Sequence, residues 1–312
     1  YDQNTSRVLT TPTYSAYVKI GEGCNNGCTF CIIPHVRGPL YSRTVESVTA
    51  EVRQLAAGGV KEINLIAQDT TSYGFDLAGK SLLPDLLREL VKIEGIEWIR
   101  LFYLYPHFFT DELTELIVKE DKICPYVDLP LQHISQSVLK RMNRRDSQAD
   151  ILKLIDKLTA HGRKLTLRST FIVGFPGETE EEFQELCDFV ERTKFDAVGV
   201  FTYSQEEGTP AAAMADQIPE EVKEERYHRL MAIQAKVSEE RNRDLEGSVH
   251  PFIVEELTDE SGHLQAVGRL DIQAPEVDGL TYVEDAKGLK EGDIIPVRVV
   301  QGFAYDVIAE RI

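Results

Sequence analysis

Apolar and polar positions follow two different rhythms along this chain. Ser15-Ala16-Tyr17-Val18-Lys19-Ile20 is rich in aromatic and β-branched residues and predicts a short strand after a polar extension over 1–12. Val45, Val48, Val52 and Leu55 then recur at three- and four-residue spacing and stop at Gly58-Gly59, which predicts an amphipathic helix. Glu62-Ile63-Asn64-Leu65-Ile66-Ala67 is a mostly apolar strand followed by a polar loop. The alternation repeats with helices over 82–93 and 111–119 and strands over 98–104 and 126–131. A helical region over 135–160 should break near 143–146. A strand over 165–173, a helix over 180–192 and a strand over 197–201 complete six β–α units.

Alternating strands and helices over about 200 residues imply an α/β fold with a parallel sheet. Six units are too few for a closed eight-unit barrel, so a partial, open β/α barrel is expected. Chemistry in such folds sits at the C-terminal ends of strands. The polar, glycine-rich stretches do follow strands: residues 23–31, Gln68-Asp69, Gln132-His133 and 174–178.

One long charged helix is expected over 220–246, with Leu230, Ile233 and Val237 as its apolar stripe. From Ser248 the pattern changes to short strands over 249–257, 264–270, 281–283 and 294–299. This predicts a small five-stranded antiparallel β-barrel. The division expected is a first domain over 1–247 and a second over 248–312.

Composition narrows the functional classes. The 312 residues carry a formal charge of −18, which argues against broad electrostatic binding to nucleic acid and suits a basic protein partner. No apolar run is long enough to span a membrane. Tyr1 to Arg7 is polar and does not read as a signal peptide. Five cysteines are a poor disulfide framework, and a reducing, cytoplasmic compartment follows.

Three of those cysteines fall within eight residues: Cys24, Cys28 and Cys31, in the spacing C-x₃-C-x₂-C. Three close thiolates with no carboxylate among them favour a soft metal. They could hold three corners of an iron–sulfur cube, which normally takes four cysteines. One iron would then stay open. A structural zinc with His35 as fourth ligand, or a disulfide beside a free thiol, remain as alternatives. Cys124 and Cys187 stand alone among apolar residues and read as inert buried thiols.

With Phe30 before the third cysteine, C-x₃-C-x-aromatic-C resembles the signature of radical S-adenosylmethionine (SAM) enzymes. The run Pro34-His35-Val36-Arg37-Gly38-Pro39-Leu40-Tyr41-Ser42-Arg43 is similar to that of their methylthiotransferase branch. The resemblance implies a 4Fe–4S cluster on Cys24, Cys28 and Cys31, with SAM on the open iron. It implies that Phe30 lies against the adenine and that Gln68 meets the methionine part. It further implies that Gln132 reaches the ribose and Arg168 pairs with the SAM carboxylate. Gly174, Phe175 and Pro176, in Gly174-Phe175-Pro176-Gly177-Glu178-Thr179, would border the adenosine. Arg168 could equally pair with a structural carboxylate, since a buried charge needs a partner. His133 is as readily structural as functional.

Leu129-Pro130-Leu131-Gln132-His133-Ile134-Ser135 and Tyr203-Ser204-Gln205-Glu206-Glu207-Gly208-Thr209-Pro210 resemble the methylthiotransferases that modify a ribosomal protein. Ala274-Pro275-Glu276-Val277-Asp278-Gly279 resembles the TRAM domain, often an RNA-binding appendage. Residues 248–312 hold thirteen Asp or Glu against five Lys or Arg, which disfavours RNA and favours a basic protein. The resemblance thus implies methylthiolation of an aspartate β-carbon in a basic small-subunit ribosomal protein. The electron would come from a flavodoxin- or ferredoxin-like donor. A transfer-RNA adenosine methylthiotransferase and a non-catalytic zinc adaptor are the alternatives. The family also carries a second 4Fe–4S cluster on an N-terminal domain. The chain starts without Met, so a fragment is expected that cleaves SAM and does not insert sulfur.

Overall fold

The computed structural model describes residues 10–160, 165–260 and 263–312. Most of the polar extension expected over 1–12 lies outside them. The chain enters with β1 (Ser15–Lys19). It then forms a two-stranded ribbon of β2 (Gly21–Glu22) and β3 (Tyr41–Ser42), with the short helix α1 (Ile33–Arg37) between them. Helix α2 (Val45–Ala57) follows, capped by the Thr44 side chain accepting from the Ser47 amide. Then come β4 (Glu62–Ile66), α3 (Phe75–Ala78), α4 (Leu83–Leu90), β5 (Trp98–Leu101) and α5 (Asp111–Lys119).

The second half of the arc has β6 (Tyr126–Gln132), α6 (Gln136–Arg141), α7 (Gln148–Thr159), β7 (Thr166–Val173), α8 (Glu180–Thr193) and β8 (Ala197–Thr202). Capping boxes start α7 at Ser147 with Asp150, and α8 at Thr179 with Glu182. The expected helical break falls between α6 and α7, where Asn143 takes a left-handed φ of 55°.

Six parallel strands run in sequence order, as β1-β4-β5 and β6-β7-β8. The two triplets meet through an Ile99–Ile123 bridge and the Leu104 amide donating to the Asp128 carbonyl at 2.9 Å. Among the described residues no pairing joins β8 to β1, so the barrel is open. Its core is the apolar strand positions packed under the amphipathic helices, with Val18, Ile63, Leu65, Ile99, Val127 and Phe171 fully buried. Each such side chain stabilises the fold by about 1.5–3 kcal/mol. The strand expected over 98–104 ends at Leu101 because Tyr103 turns to φ 56°, held by its amide donating to Asp128 Oδ2 at 2.9 Å.

Helix α9 (Glu220–Arg243) packs on β8 and α8 at one end of the arc and leads to a closed barrel of β9 (Val249–Glu260), β10 (His263–Leu270), β11 (Thr281–Glu284), β12 (Ile294–Gly302) and β13 (Val307–Arg311). Four of its seams are antiparallel as expected, while β11 and β13 run parallel. That seam pairs the two shortest strands and closes the cylinder.

The two barrels share a buried polar junction. Arg269 donates to both carboxylate oxygens of Glu62, at 3.1 and 2.7 Å, and to Glu255 at 2.8 Å. Arg100 lies 3.4 Å from Glu62 and donates to the Asp271 carbonyl at 3.0 Å. Tyr126 Oη donates to Asp278 Oδ2 at 2.6 Å. Among the described residues no helix is long and apolar enough to cross a membrane.

Candidate metal and cofactor site

The cysteine loop leaves the open barrel at its C-terminal rim. Gly23 has a φ of 76°, and a Cβ there would overlap the Pro39 carbonyl oxygen. Only glycine permits that close approach of the two loop arms. One side of the loop is tied to the end of β4: Asn26 Nδ2 donates to Asp69 Oδ2 at 2.7 Å. Asp69 also accepts from Thr71 Oγ1 at 2.7 Å and the Ser72 amide at 3.1 Å. Burial nevertheless keeps its carboxyl above the usual range. The other side is tied to the turn after α6. Asn143 Nδ2 donates to the Gly27 carbonyl at 2.7 Å, and the Thr29 amide donates to the Met142 carbonyl at 3.0 Å.

This bracing brings the three thiols to one wall of a cavity of about 570 Å³. Cys24, Cys28, Cys31, Phe30, Gln68, Gln132 and Arg168 all line it. The second barrel adds Pro275, Glu276 and Val277, so both domains enclose the space. Gln68 Nε2 donates to Glu22 at 3.1 Å, while its buried Oε1 has no partner. Gln132 sits at φ 72° where β6 loses register with β7. Arg168 donates to Asp128 Oδ1 at 2.9 Å, and its Nε lies 3.8 Å from Asp278.

Gly174, Phe175 and Pro176 stand behind this wall and do not line the cavity. Phe175 is fully buried, with its ring edge-on to Phe30 at 6.4 Å and to Tyr203 at 5.3 Å. Gly174 has a φ of 71°, and a Cβ there would overlap the Lys223 side chain, so the close neighbour of this glycine is α9. His133 is buried, and burial pushes it down to about 3. It is a neutral imidazole whose Nδ1 accepts from the Ser135 amide at 3.0 Å.

The donor set fits a three-cysteine cluster. All three thiols are free and partly exposed to the cavity. Burial raises Cys24 and Cys31 above the usual thiol range, and a bound cation would reverse that shift. Among the described residues no three His, Cys, Asp or Glu side chains are grouped to hold a single metal ion. His35 lines a different hollow, beside Gln205 and Thr209. Cys124 and Cys187 are buried in separate apolar clusters, and burial pushes them up to about 12 and about 11. Gln68 lines the same space, and its buried Oε1 is an acceptor left without a partner among the described residues.

Tyr103, Tyr105 and Arg144 reach the wall from loops. Arg144 carries no motif of its own, whereas Tyr103 and Tyr105 belong to Tyr103-Leu104-Tyr105-Pro106, a run that resembles the methylthiotransferases acting on a ribosomal protein. The Arg144-Arg145 pair after the helical break was the one visible hint for Arg144.

A profile of the Radical SAM superfamily matches residues 18–190, and a TRAM domain profile matches 246–312. The chain is 52% identical over 310 residues to the ribosomal protein uS12 methylthiotransferase RimO of Syntrophotalea carbinolica, covering 99% of this chain and 68% of that protein. It is 50% identical to the RimO of Geobacter sulfurreducens, covering 100% of this chain and 69% of that one. Among solved structures, the radical SAM enzyme coproporphyrinogen III oxidase (HemN) of Escherichia coli superimposes with a TM-score of 0.53 at 20% identity. That match spans 71% of this chain and 52% of the other, a likeness of fold.

Proposed function

The chain belongs to the RimO family of radical SAM methylthiotransferases, and on that premise we propose that it attaches a methylthio group to the β-carbon of an aspartate in ribosomal protein uS12. The reading rests on one observation above others: three unpaired thiols share a cavity wall with an unpartnered Gln68 carbonyl oxygen. Residues 1–247 act as the catalytic unit, and 248–312 close its open side.

A 4Fe–4S cluster with SAM supplies the radical chemistry needed at an unactivated carbon. Cys24, Cys28 and Cys31 hold the cluster. Gln68 would accept from the SAM amine, Gln132 would take the ribose, and Phe30, backed by Phe175, would offer its ring to the adenine. Arg168 faces the carboxylate. Its bond to Asp128 fixes the guanidinium on the cavity wall and leaves its other donors for the ligand. Gly174 and Pro176 shape the turn behind Phe30. Pro275, Glu276 and Val277 shield the site from water on the side of the second barrel.

The basic ribosomal protein is drawn by the acidic surface of residues 248–312. A flavodoxin- or ferredoxin-like protein delivers the electron. Sulfur insertion would call for a second 4Fe–4S cluster, and Cys124 and Cys187, buried apart, do not supply its ligands.

The substrate assignment is tested with uS12 deuterated at the aspartate β-carbon. Deuterium should appear in the 5′-deoxyadenosine formed by the reconstituted chain. Deuterium entering 5′-deoxyadenosine from a deuterated transfer RNA and not from uS12 would replace the substrate.

A further inference from the structure

Arg144 stands on the cavity wall with no carboxylate within ion-pair distance among the described residues. Its guanidinium is locked by two contacts. It stacks on the Tyr105 ring, 4.0 Å from the centroid, and Nη2 donates to the Pro130 carbonyl at 3.0 Å. The remaining arm, Nη1, points to Cys28 Sγ at 3.8 Å. Asp69 and Asp146 feel the Arg144 charge but form no ion pair with it. Asp69 accepts from Asn26, Thr71 and Ser72, and Asp146 faces His107 at 3.8 Å.

A partly buried cation costs free energy unless an anion offsets it. The side-chain sulfur within hydrogen-bond reach of Arg144 is that of Cys28, which would carry negative charge as a cluster ligand. We propose that Arg144 is a tuning residue, donating a charge-assisted N–H···S hydrogen bond to the Cys28 thiolate and raising the reduction potential of the cluster that Cys28 holds. The inference rests on the cluster reading above. One electron enters the cluster on reduction and makes it more negative. A fixed positive charge and an N–H donor at one ligating sulfur favour that state. Tyr105 and Pro130 act by holding the guanidinium in place, so its charge is preorganised rather than recruited.

The test uses the whole chain, reconstituted anaerobically with iron and sulfide, without substrate. Iron content and circular dichroism are compared first, then the midpoint is read by EPR-monitored reductive titration. Arg144→Gln should lower the midpoint, so that the reduced-to-oxidised ratio at a fixed potential falls about tenfold, or about 59 mV for a one-electron couple. Arg144→Lys keeps the charge but cannot hold Pro130 and reach the sulfur together, so its midpoint should fall by less. Should the glutamine variant lose iron, the lysine variant decides alone. A lowered midpoint at equal iron content supports the proposal, and an unchanged one overturns it. A midpoint for Arg144→Gln equal to that of the unaltered chain, at equal iron content, overturns the inference and leaves the cluster reading standing. Failure of the unaltered chain to take up a cluster overturns both.

Discussion

Glu62 in the open barrel and Arg269 in the appended barrel are both fully buried and joined by two hydrogen bonds of 3.1 and 2.7 Å. A charge on one domain is thus neutralised by the other, and neither can be separated without exposing it. Arg269→Met should therefore cost about 3–5 kcal/mol of stability, because it leaves the Glu62 carboxylate buried with a weaker set of partners. Chemical denaturation followed by circular dichroism reads this directly.

The same pair sets an acid limit. Burial opposes the Glu62 charge, but Arg269 and Arg100 outweigh it and bring the carboxyl down to about 2 from its ordinary 4.5. The folded pKa lies below the unfolded one, so the stabilisation is complete above about pH 4.5 and is lost as pH falls toward 2. Arg269→Met should flatten that part of the stability–pH curve. An unaltered slope would locate the acid sensitivity elsewhere.

Gly23 governs whether the thiols can share a wall. Gly23→Ala adds a methyl against the Pro39 carbonyl at a φ of 76°. Iron bound after reconstitution should fall several-fold, while the thermal midpoint falls by only a few degrees, since the loop lies outside the core. Single Cys24→Ala, Cys28→Ala and Cys31→Ala variants should each lose the cluster without unfolding.

Gln68 should separate cofactor binding from cluster binding. Gln68→Leu removes an acceptor that has no partner inside the protein. SAM affinity should drop about tenfold, a loss of about 1.4 kcal/mol, with iron content unchanged. Isothermal titration of the reconstituted chain checks both halves.

The strand–helix alternation was legible because parallel strands and amphipathic helices have distinct periods, as Ile63 with Leu65 and Val48 with Val52 show. The cysteine spacing was legible because it is local. What stayed hidden was contributed across the sequence. The break at Asn143 was legible, but not that its side chain braces the cysteine loop from 116 residues away. Gly174 read as a glycine of ligand approach or of a tight turn, and the backbone shows a left-handed turn whose close neighbour, Lys223 of α9, no local pattern announced. The parallel seam of β11 with β13 could not be read because the last strand was too short to stand out. Glu276 and Val277 line the cavity from the second barrel, a placement that depends on long-range contacts such as Glu62–Arg269 and that no local pattern marks.

The most direct test is anaerobic reconstitution followed by reduction in the presence of SAM. About four irons and four sulfides per chain, with 5′-deoxyadenosine that disappears in Cys28→Ala, is the predicted result. A colourless chain holding one zinc and forming no 5′-deoxyadenosine would contradict it.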